Sequence, residues 1–389
     1  MSGKDRLPVR GAQGELLRLV AGGRAESRAE LARLSGLAAS SVSLRVEELI
    51  GSGLLVEEGS GGSRGGRRPR LLRLSPTAGV LAVADLGAHH ARLGLLDLSG
   101  DPIVVEEHPC DITRGPEAVL DWLADVFDGL LERHAGTGPS AIPLRGVGTG
   151  VPGPVEPSAG RVVSPSRMPG WNSFPVAEHL RRRYDLPVLV ENDANLMAVG
   201  EARAWPGHDN LMVLKAGTGI GCGLVVGGRL HRGRGAAGDI SHVRVRTDAS
   251  ATCSCGHSDC LEAYASGAAL IAALAGQGMA LERPADLVAR VDDGVPEATA
   301  LVRNAGRLIG EVLTVLVNFF NPDAVVVGGS LSAAEPLISA VRAAVYERCL
   351  PLATRDLEIA ATRVGRDAAL LGAGALLLDA VLSPDQARV

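Results

Sequence analysis

The sequence contains few aromatic residues, few cysteines and no long apolar run. Its 389 residues include Trp 3, Tyr 3, Phe 4 and Cys 6. Six cysteines in a chain of this length are too few for a disulfide framework. No uninterrupted apolar stretch reaches the ~18–20 residues that a membrane span requires, and residues 1–15 lack the apolar core of a signal peptide. We therefore expect a soluble, cytoplasmic protein without membrane contact.

The composition indicates a folded chain with an uneven charge distribution. It is 46% hydrophobic and 21% charged, which excludes an intrinsically disordered protein, and its length suggests two or three domains at ~100–200 residues each. Residues 1–75 hold 13 Lys and Arg against 8 Asp and Glu, whereas the remainder holds 26 against 36. A basic head on an acidic body suggests a nucleic-acid-binding module joined to a second kind of domain.

The head has the pattern of a helix-turn-helix. Ser27 with Glu30 forms a capping-box signature for a helix at Arg28–Ser35, and Gly36 then ends that helix. A further helix is predicted at Ala39–Gly51, because its apolar residues share one face. A short helix, a turn with glycine and a second helix form the unit that reads DNA.

Two strand-like segments follow, and they predict a β-hairpin wing that completes a winged helix-turn-helix over residues 1–75. The second helix of the unit would face the major groove, and arginines in the loop of the wing suit phosphates or a narrow minor groove. The alternative for the loop is a solvated basic segment. The predicted DNA-binding residues are Ala39, Ser40, Ser41, Ser43, Arg64, Arg67 and Arg68.

The body has the alternating strands and helices of an α/β protein. Three strands, a helix and a strand follow one another from Val80, and a second series of strands begins near Leu211. This order fits an actin-like (ribonuclease-H-like) fold of two lobes, at 78–200 and 201–389, although periodicity alone leaves other α/β folds open.

A histidine and three cysteines have the spacing of a metal site. His242 precedes Cys253, Cys255 and Cys260, and these four ligands can close a tetrahedral zinc shell without a water position. That composition predicts a structural Zn²⁺ site. The alternative is three buried thiols near an unrelated histidine, and His257 could substitute as a ligand.

A glycine-rich run follows an apolar strand. Gly217, Thr218, Gly219 and Gly221 could let backbone N–H groups approach a phosphate closely. The alternative is a tight turn between two strands that binds no ligand.

Carboxylates and amides cluster at the end of another strand. Asn192 and Asp193 stand where a strand leads into a helix. The carboxylate could take a proton from a substrate hydroxyl while the amide holds a neighbouring hydroxyl. The alternative is an ordinary helix cap.

These segments, taken together, resemble the successive signatures of the ROK family, which groups repressors, open reading frames and sugar kinases. The matching runs are VENDAN around Asp193, GTGIGCG from Gly217, GAAGDISH ending at His242, and the cysteine segment that ends in Cys260-Leu261-Glu262. The head resembles the winged helix-turn-helix of the repressor branch of that family. The resemblance extends over nearly the whole chain.

The resemblance implies a role for each matching residue. Asp193 would be the general base in a kinase, and His242 would join the zinc shell to the sugar. The implied sugar-binding residues are Gly153, Asn192, Asp193, Asp239, His242 and Glu262. Asp239 departs from the glutamate that is usual in the kinases.

One further departure argues against catalysis. The kinases carry an Asp-x-Gly-Gly-Thr hairpin, whereas this chain has Asp85-Leu86-Gly87-Ala88-His89-His90, so a bound ATP with Mg²⁺ is not expected to be held productively. We expect His89 and His90 to be exposed turn residues. The sequence predicts a sugar-responsive regulator, most simply a repressor, that binds operator DNA and a sugar or sugar phosphate as a homodimer or tetramer. The alternative is an active ATP-dependent sugar kinase.

Overall fold

The computed structural model describes residues 11–58, 70–248 and 250–382. Within these ranges the chain forms a small N-terminal head and two larger lobes, each built on one five-stranded sheet. None of the helices in the described ranges is long and apolar enough to cross a membrane.

The head consists of three helices and a two-stranded hairpin. Ser27 caps the second helix, since its Oγ accepts a hydrogen bond from the Glu30 N–H at 3.3 Å, and Gly36 ends that helix at φ 70°. The second and third helices have the bounds that the sequence predicts. The elements are α1 (Ala12–Ala21), α2 (Arg28–Ser35), α3 (Ala39–Gly51), β1 (Leu55–Glu58) and β2 (Leu71–Leu74).

The first lobe consists of one mixed sheet, two helices and a small separate hairpin. Its elements are β3 (Val80–Leu86), β4 (His90–Asp97), β5 (Pro102–Pro109), α4 (Pro116–His134), β6 (Leu144–Val151), β7 (Val155–Glu156), β8 (Arg161–Val162), α5 (Val176–Tyr184) and β9 (Val188–Asn192). The sheet has the order β5-β4-β3-β6-β9, with β3, β4 and β5 antiparallel and β3, β6 and β9 parallel. Strands β7 and β8 form the separate hairpin.

The second lobe repeats the topology of the first. The remaining elements of the chain are α6 (Asp193–Ala202), β10 (Leu211–Ala216), β11 (Ile220–Val226), β12 (Arg229–Leu230), α7 (Glu262–Ala265), α8 (Gly267–Ala275), α9 (Pro284–Asp292), α10 (Pro296–Phe320), β13 (Ala324–Gly328), α11 (Glu335–Arg348), α12 (Pro351–Thr354), β14 (Glu358–Ala361) and α13 (Ala368–Leu382). The sheet of the second lobe has the order β12-β11-β10-β13-β14, again with three antiparallel strands followed by parallel ones. The predicted two-lobed actin-like architecture is therefore confirmed.

Two helices, α6 and α13, cross between the lobes at very short range. A Cβ added at Gly372 would lie 1.9 Å from the Leu196 carbonyl oxygen, and one added at Gly200 would lie 1.9 Å from the Ala368 carbonyl oxygen. Only glycine permits this approach. Helix α13 also packs on β3 and β6 of the first lobe, and α6 packs on β10 and β11 of the second. The pair therefore connects the two sheets.

The head rests on this same helix pair. Helix α1 packs against α13, and Leu16 and Leu17 belong to one apolar cluster with Leu370 and Leu377. Burial raises the pKa of Asp379 on α13, while the positive charges of Arg18 and Arg229 act in the opposite direction. The head thus contacts the helix that joins the lobes.

Candidate functional site

The cleft between the lobes begins where β9 leads into α6. Asn192 caps α6, because its Oδ1 accepts hydrogen bonds from the N–H groups of Ala194 and Asn195 at 3.0 and 3.2 Å. Its Nδ2 donates to the Gly153 carbonyl at 3.0 Å. Asn192 is therefore a helix cap through its amide oxygen, and its amide nitrogen also contacts Gly153.

Asp193 is held by Lys215, a residue that none of the sequence motifs includes. Its Oδ2 accepts a hydrogen bond from Lys215 Nζ at 2.6 Å, and its Oδ1 accepts one from the Ala194 N–H at 2.7 Å. Lys215 Nζ lies 4.0 Å from Asp85 Oδ2. Lys215 interrupts the apolar strand β10, and a lone charge at such a position is the signal that could have identified it.

Glu191 is buried beside this pair and is fully partnered. Its Oε1 accepts a hydrogen bond from Asn195 Nδ2 at 3.0 Å, and its Oε2 forms an ion pair with Arg232 from the second lobe. A carboxylate buried away from water needs such partners, because an unpaired buried charge is strongly destabilising. Sequence reasoning missed Arg232 because its partner lies 41 positions away in the chain.

Glu262 begins α7 on the opposite side of the cleft. Its Oε2 accepts a hydrogen bond from the Ile220 N–H at 2.8 Å, and Arg167 Nε lies 3.0 Å from its Oε1. Burial raises the pKa of Glu262; the Ile220 N–H, Arg167 and His242 oppose the rise, and Asp239 adds to it. The predicted residues Asp239, His242 and Glu262 are therefore close enough to interact electrostatically.

The glycine-rich run forms the turn between β10 and β11. A Cβ atom added at Gly219 would lie 3.1 Å from Glu262 Oε1, and one added at Gly221 would lie 3.0 Å from Ala194 Cβ. The carbonyls of Gly217 and Thr218 accept hydrogen bonds from the N-terminal amides of α8 at 2.8 and 3.1 Å. Close packing against α6 and Glu262 accounts for glycine at 219 and 221 without any phosphate.

The four predicted metal ligands lie together. The ligand atoms of His242, Cys253, Cys255 and Cys260 all fall within 4.8 Å of one another. The Sγ atoms of Cys255 and Cys260 are 3.7 Å apart, close to the ~3.8 Å edge of a tetrahedron with metal–sulfur bonds of ~2.3 Å. His242 turns Nδ1 towards Cys253 Sγ at 3.6 Å, which leaves its Nε2 on the far side of the ring. The cluster can hold a metal ion.

The first hairpin of the body does not suit a nucleotide phosphate. The Gly87 N–H donates to the His90 carbonyl at 2.7 Å, and a Cβ on Gly87 would lie 2.9 Å from His90 Cε1. The His90 ring therefore covers the glycine at which a phosphate would approach the backbone. With Ala88 as the next residue and Lys215 between the nearby carboxylates, these residues do not fit ATP with Mg²⁺. His89 is an exposed residue of the turn, as expected, whereas His90 is exposed but begins strand β4 and pairs with Pro109, so its prediction as a turn residue is wrong.

The predicted DNA-facing residues of the third helix lie at its N-terminal end. Ala39 and Ser40 are exposed, and Ser41 and Ser43 are half-buried. Ala38 provides no side-chain cap for α3. The predicted wing arginines Arg64, Arg67 and Arg68 fall outside the described residues.

The fold and the cleft define the class of protein: a two-lobed sugar-kinase fold that carries an N-terminal helical head. The ROK family profile matches residues 81–380, and the chain belongs to the ROK family. The chain is 31% identical over 359 residues to the xylose repressor of Bacillus subtilis (strain 168), covering 91% of each sequence.

Solved structures of ROK family proteins have the same fold as this chain. A ROK family transcriptional regulator, a homolog of the E. coli MLC protein, aligns with a TM-score of 0.78 at 24% identity and covers 95% of this chain and 96% of its own. A ROK family glucokinase from Streptomyces griseus in complex with glucose and AMPPNP aligns with a TM-score of 0.66 at 29% identity and covers 77% of this chain and 99% of its own.

Proposed function

We propose that this protein is a sugar-responsive transcriptional repressor. The observation that carries the proposal is the full-length similarity to a xylose repressor, which includes the head as well as the body. In this proposal residues 1–75 bind operator DNA, and the lobes at 78–200 and 201–389 bind the sugar. A repressor works where the chromosome is, so we place it in the cytoplasm.

The sugar site would be the cleft. Gly153, Asn192 and Asp193 would face the sugar from one side, and Asp239, His242 and Glu262 from the other. Five carboxylates stand here (Asp85, Glu191, Asp193, Asp239 and Glu262) against three cations (Arg167, Lys215 and Arg232), each already paired with a carboxylate. This negative balance favours a neutral sugar over a sugar phosphate.

The metal cluster would hold a structural Zn²⁺. Three thiolates and an imidazole leave no open position on a tetrahedral ion, so the metal would fix the loop and orient His242 towards the sugar. When bound, the ion would supply structural constraint and no Lewis-acid chemistry.

The link from sugar to DNA would run through α6 and α13. Sugar contacts at the N-terminus of α6 would favour one relative arrangement of the lobes, and α13 would transmit that preference to α1 of the head. In a homodimer or tetramer, a change in the arrangement of the lobes would change the spacing of the DNA-binding heads. The sugar can shift the lobes from one arrangement to the other only if it binds the two arrangements with different affinities.

The test is binding to DNA from upstream of the protein's own gene, measured by fluorescence anisotropy with and without a panel of neutral sugars and sugar phosphates. One neutral sugar should weaken binding at least tenfold. Absent or salt-insensitive DNA binding would overturn the proposal.

A second candidate is an ATP-dependent sugar kinase, which the similarity to a glucokinase and the presence of Asp193 favour. ATP consumption that depends on both glucose and Asp193 would establish it and remove the non-enzymatic interpretation.

A further inference from the structure

Lys215 is a half-buried cation between two carboxylates that come from different elements. It lies on β10, with Nζ 2.6 Å from Asp193 Oδ2 at the start of α6 and 4.0 Å from Asp85 Oδ2 at the end of β3. The side chains of Asp193 and Asp85 are only 10% and 14% exposed. A single ammonium group therefore faces both carboxylates inside the cleft.

The choice of lysine is unusual in this chain. The sequence contains 39 Lys and Arg residues, and only Lys4 and Lys215 are lysines. Arginine presents a broad planar fork, whereas lysine presents a compact point charge on a flexible stem. The sole lysine of the described residues thus stands where one compact charge faces two carboxylates.

The electrostatics keep this cation charged. Burial lowers the pKa of the Lys215 ammonium, but the carboxylates of Asp193 and Asp85 more than reverse the effect, and the net pKa is raised. Burial raises the pKa of Asp85, and Lys215 opposes that rise. Asp85 Oδ1 is buried with no hydrogen-bond partner among the described residues, so Lys215 is the nearest cation that balances this carboxyl group.

Two carboxylates that face each other in a cleft are ordinary ligands for a divalent cation, and phosphoryl transfer depends on such a cation to neutralise phosphate charge. We propose that the Lys215 ammonium takes the place of a divalent cation between Asp193 and Asp85 and so keeps this cleft a binding site without phosphoryl transfer. The inference rests on the proposed non-enzymatic function and gives a physical reason for it.

The same contacts fix the orientation of Asp193. Its Oδ2 accepts a hydrogen bond from Lys215 Nζ, and its Oδ1 accepts one from the Ala194 N–H at 2.7 Å. Each carboxylate oxygen keeps a second lone pair, so Asp193 can still accept a hydrogen bond from a sugar hydroxyl. Lys215 is thus a positioning residue: it orients Asp193 as a fixed acceptor beside the sugar and excludes a metal ion.

The test removes the ammonium group of Lys215 by substitution with a small, neutral residue. In full-length, zinc-loaded protein, Lys215→Ser should create a Mn²⁺ site, with at least tenfold tighter Mn²⁺ binding than the wild type by calorimetry. Lys215→Arg keeps the charge and should show no gain. Adding Asp193→Asn to Lys215→Ser should abolish the gain, which assigns the new site to this pair of carboxylates.

A second measurement needs no substitution. Selective ¹³C labelling of lysine yields signals from Lys4 and Lys215 alone, and Mn²⁺ bound between the carboxylates would broaden the Lys215 signal selectively. We expect no selective broadening in the wild type. Selective broadening there, or a folded Lys215→Ser protein with wild-type Mn²⁺ affinity, would overturn the inference. Neither measurement involves sugar or DNA, so its failure is separable from failure of the repressor proposal.

Discussion

Arg167 of the first lobe places Nε 3.0 Å from Oε1 of Glu262 in the second lobe. Arg167 belongs to a loop held by Trp171, which is fully buried and donates its indole N–H to the Ile112 carbonyl at 3.0 Å. An ion pair therefore closes the cleft at a carboxylate that the sugar is proposed to use. A sugar hydroxyl that binds Glu262 must replace or share the contact with Arg167, so breaking this ion pair reduces the free energy gained on sugar binding.

Removing this cation should tighten sugar binding. Arg167→Gln frees Glu262 Oε1, and an ion pair of about 1 kcal/mol corresponds to an affinity gain of about fivefold, measured by calorimetry with the responsive sugar. Arg161→Gln is the matched control, because Arg161 pairs with Glu156 on the surface. A loss of affinity in Arg167→Gln would mean that Arg167 itself holds the sugar.

The metal cluster predicts a linked loss of metal and sugar. Cys255→Ser leaves three ligands, so zinc content by metal analysis should fall well below one ion per chain and sugar affinity should fall with it through His242. Cys349→Ser removes a thiol that is not part of the cluster and contacts Asn318, so this variant should keep its zinc content and its sugar affinity. Full zinc content in Cys255→Ser would contradict the proposed ligand set.

The helix crossing makes glycine at position 372 a requirement of packing. Gly372→Ala forces a methyl group against the Leu196 carbonyl, and we expect a loss of about 1–3 kcal/mol in the free energy of unfolding by urea denaturation. Gly129→Ala is the control, because Gly129 lies in α4 and its added Cβ meets only the flexible end of Arg133 at 3.2 Å. That variant should change stability by less than about 1 kcal/mol. Equal effects in both variants would contradict close packing at the crossing.

The sequence predicts what local chemistry determines and misses what long-range pairing determines. Helix α2 begins after the cap at Ser27 and ends at Gly36, and both signals lie within the segment itself. Helix α10 likewise begins at Pro296, because proline suits the first turn of a helix. Lys215 and Arg167 carry no local signature of their partners, since Asp193 and Glu262 meet them only after the lobes assemble.

Asp193 should be necessary for the response to sugar and unnecessary for DNA binding. Asp193→Asn leaves Lys215 without its closest carboxylate and removes a charged acceptor from the cleft, so the rise in melting temperature with sugar should disappear. Operator affinity without sugar should stay within about twofold, because the head is remote from the cleft in sequence and contacts α13 rather than Asp193. Asp121→Asn, at an exposed pair with His179, is the control and should keep the full sugar response. A normal thermal shift in Asp193→Asn would exclude Asp193 from the sugar site.

The proposed DNA contacts of Arg67 and Arg68 predict a specific change in salt dependence. Each phosphate contact that releases counterions contributes about −0.9 to the slope of log affinity against log salt concentration. Neutralising Arg67 and Arg68 together should therefore make the slope shallower by about 2 for each bound head, with a nearly uniform loss of affinity across DNA sequences. Arg290→Gln, on the body and next to Asp293, should leave the slope unchanged. An unchanged slope in the Arg67 and Arg68 variant would mean that these arginines form a solvated loop, and the sequence preference of the protein would then depend on the short side chains of α3 alone.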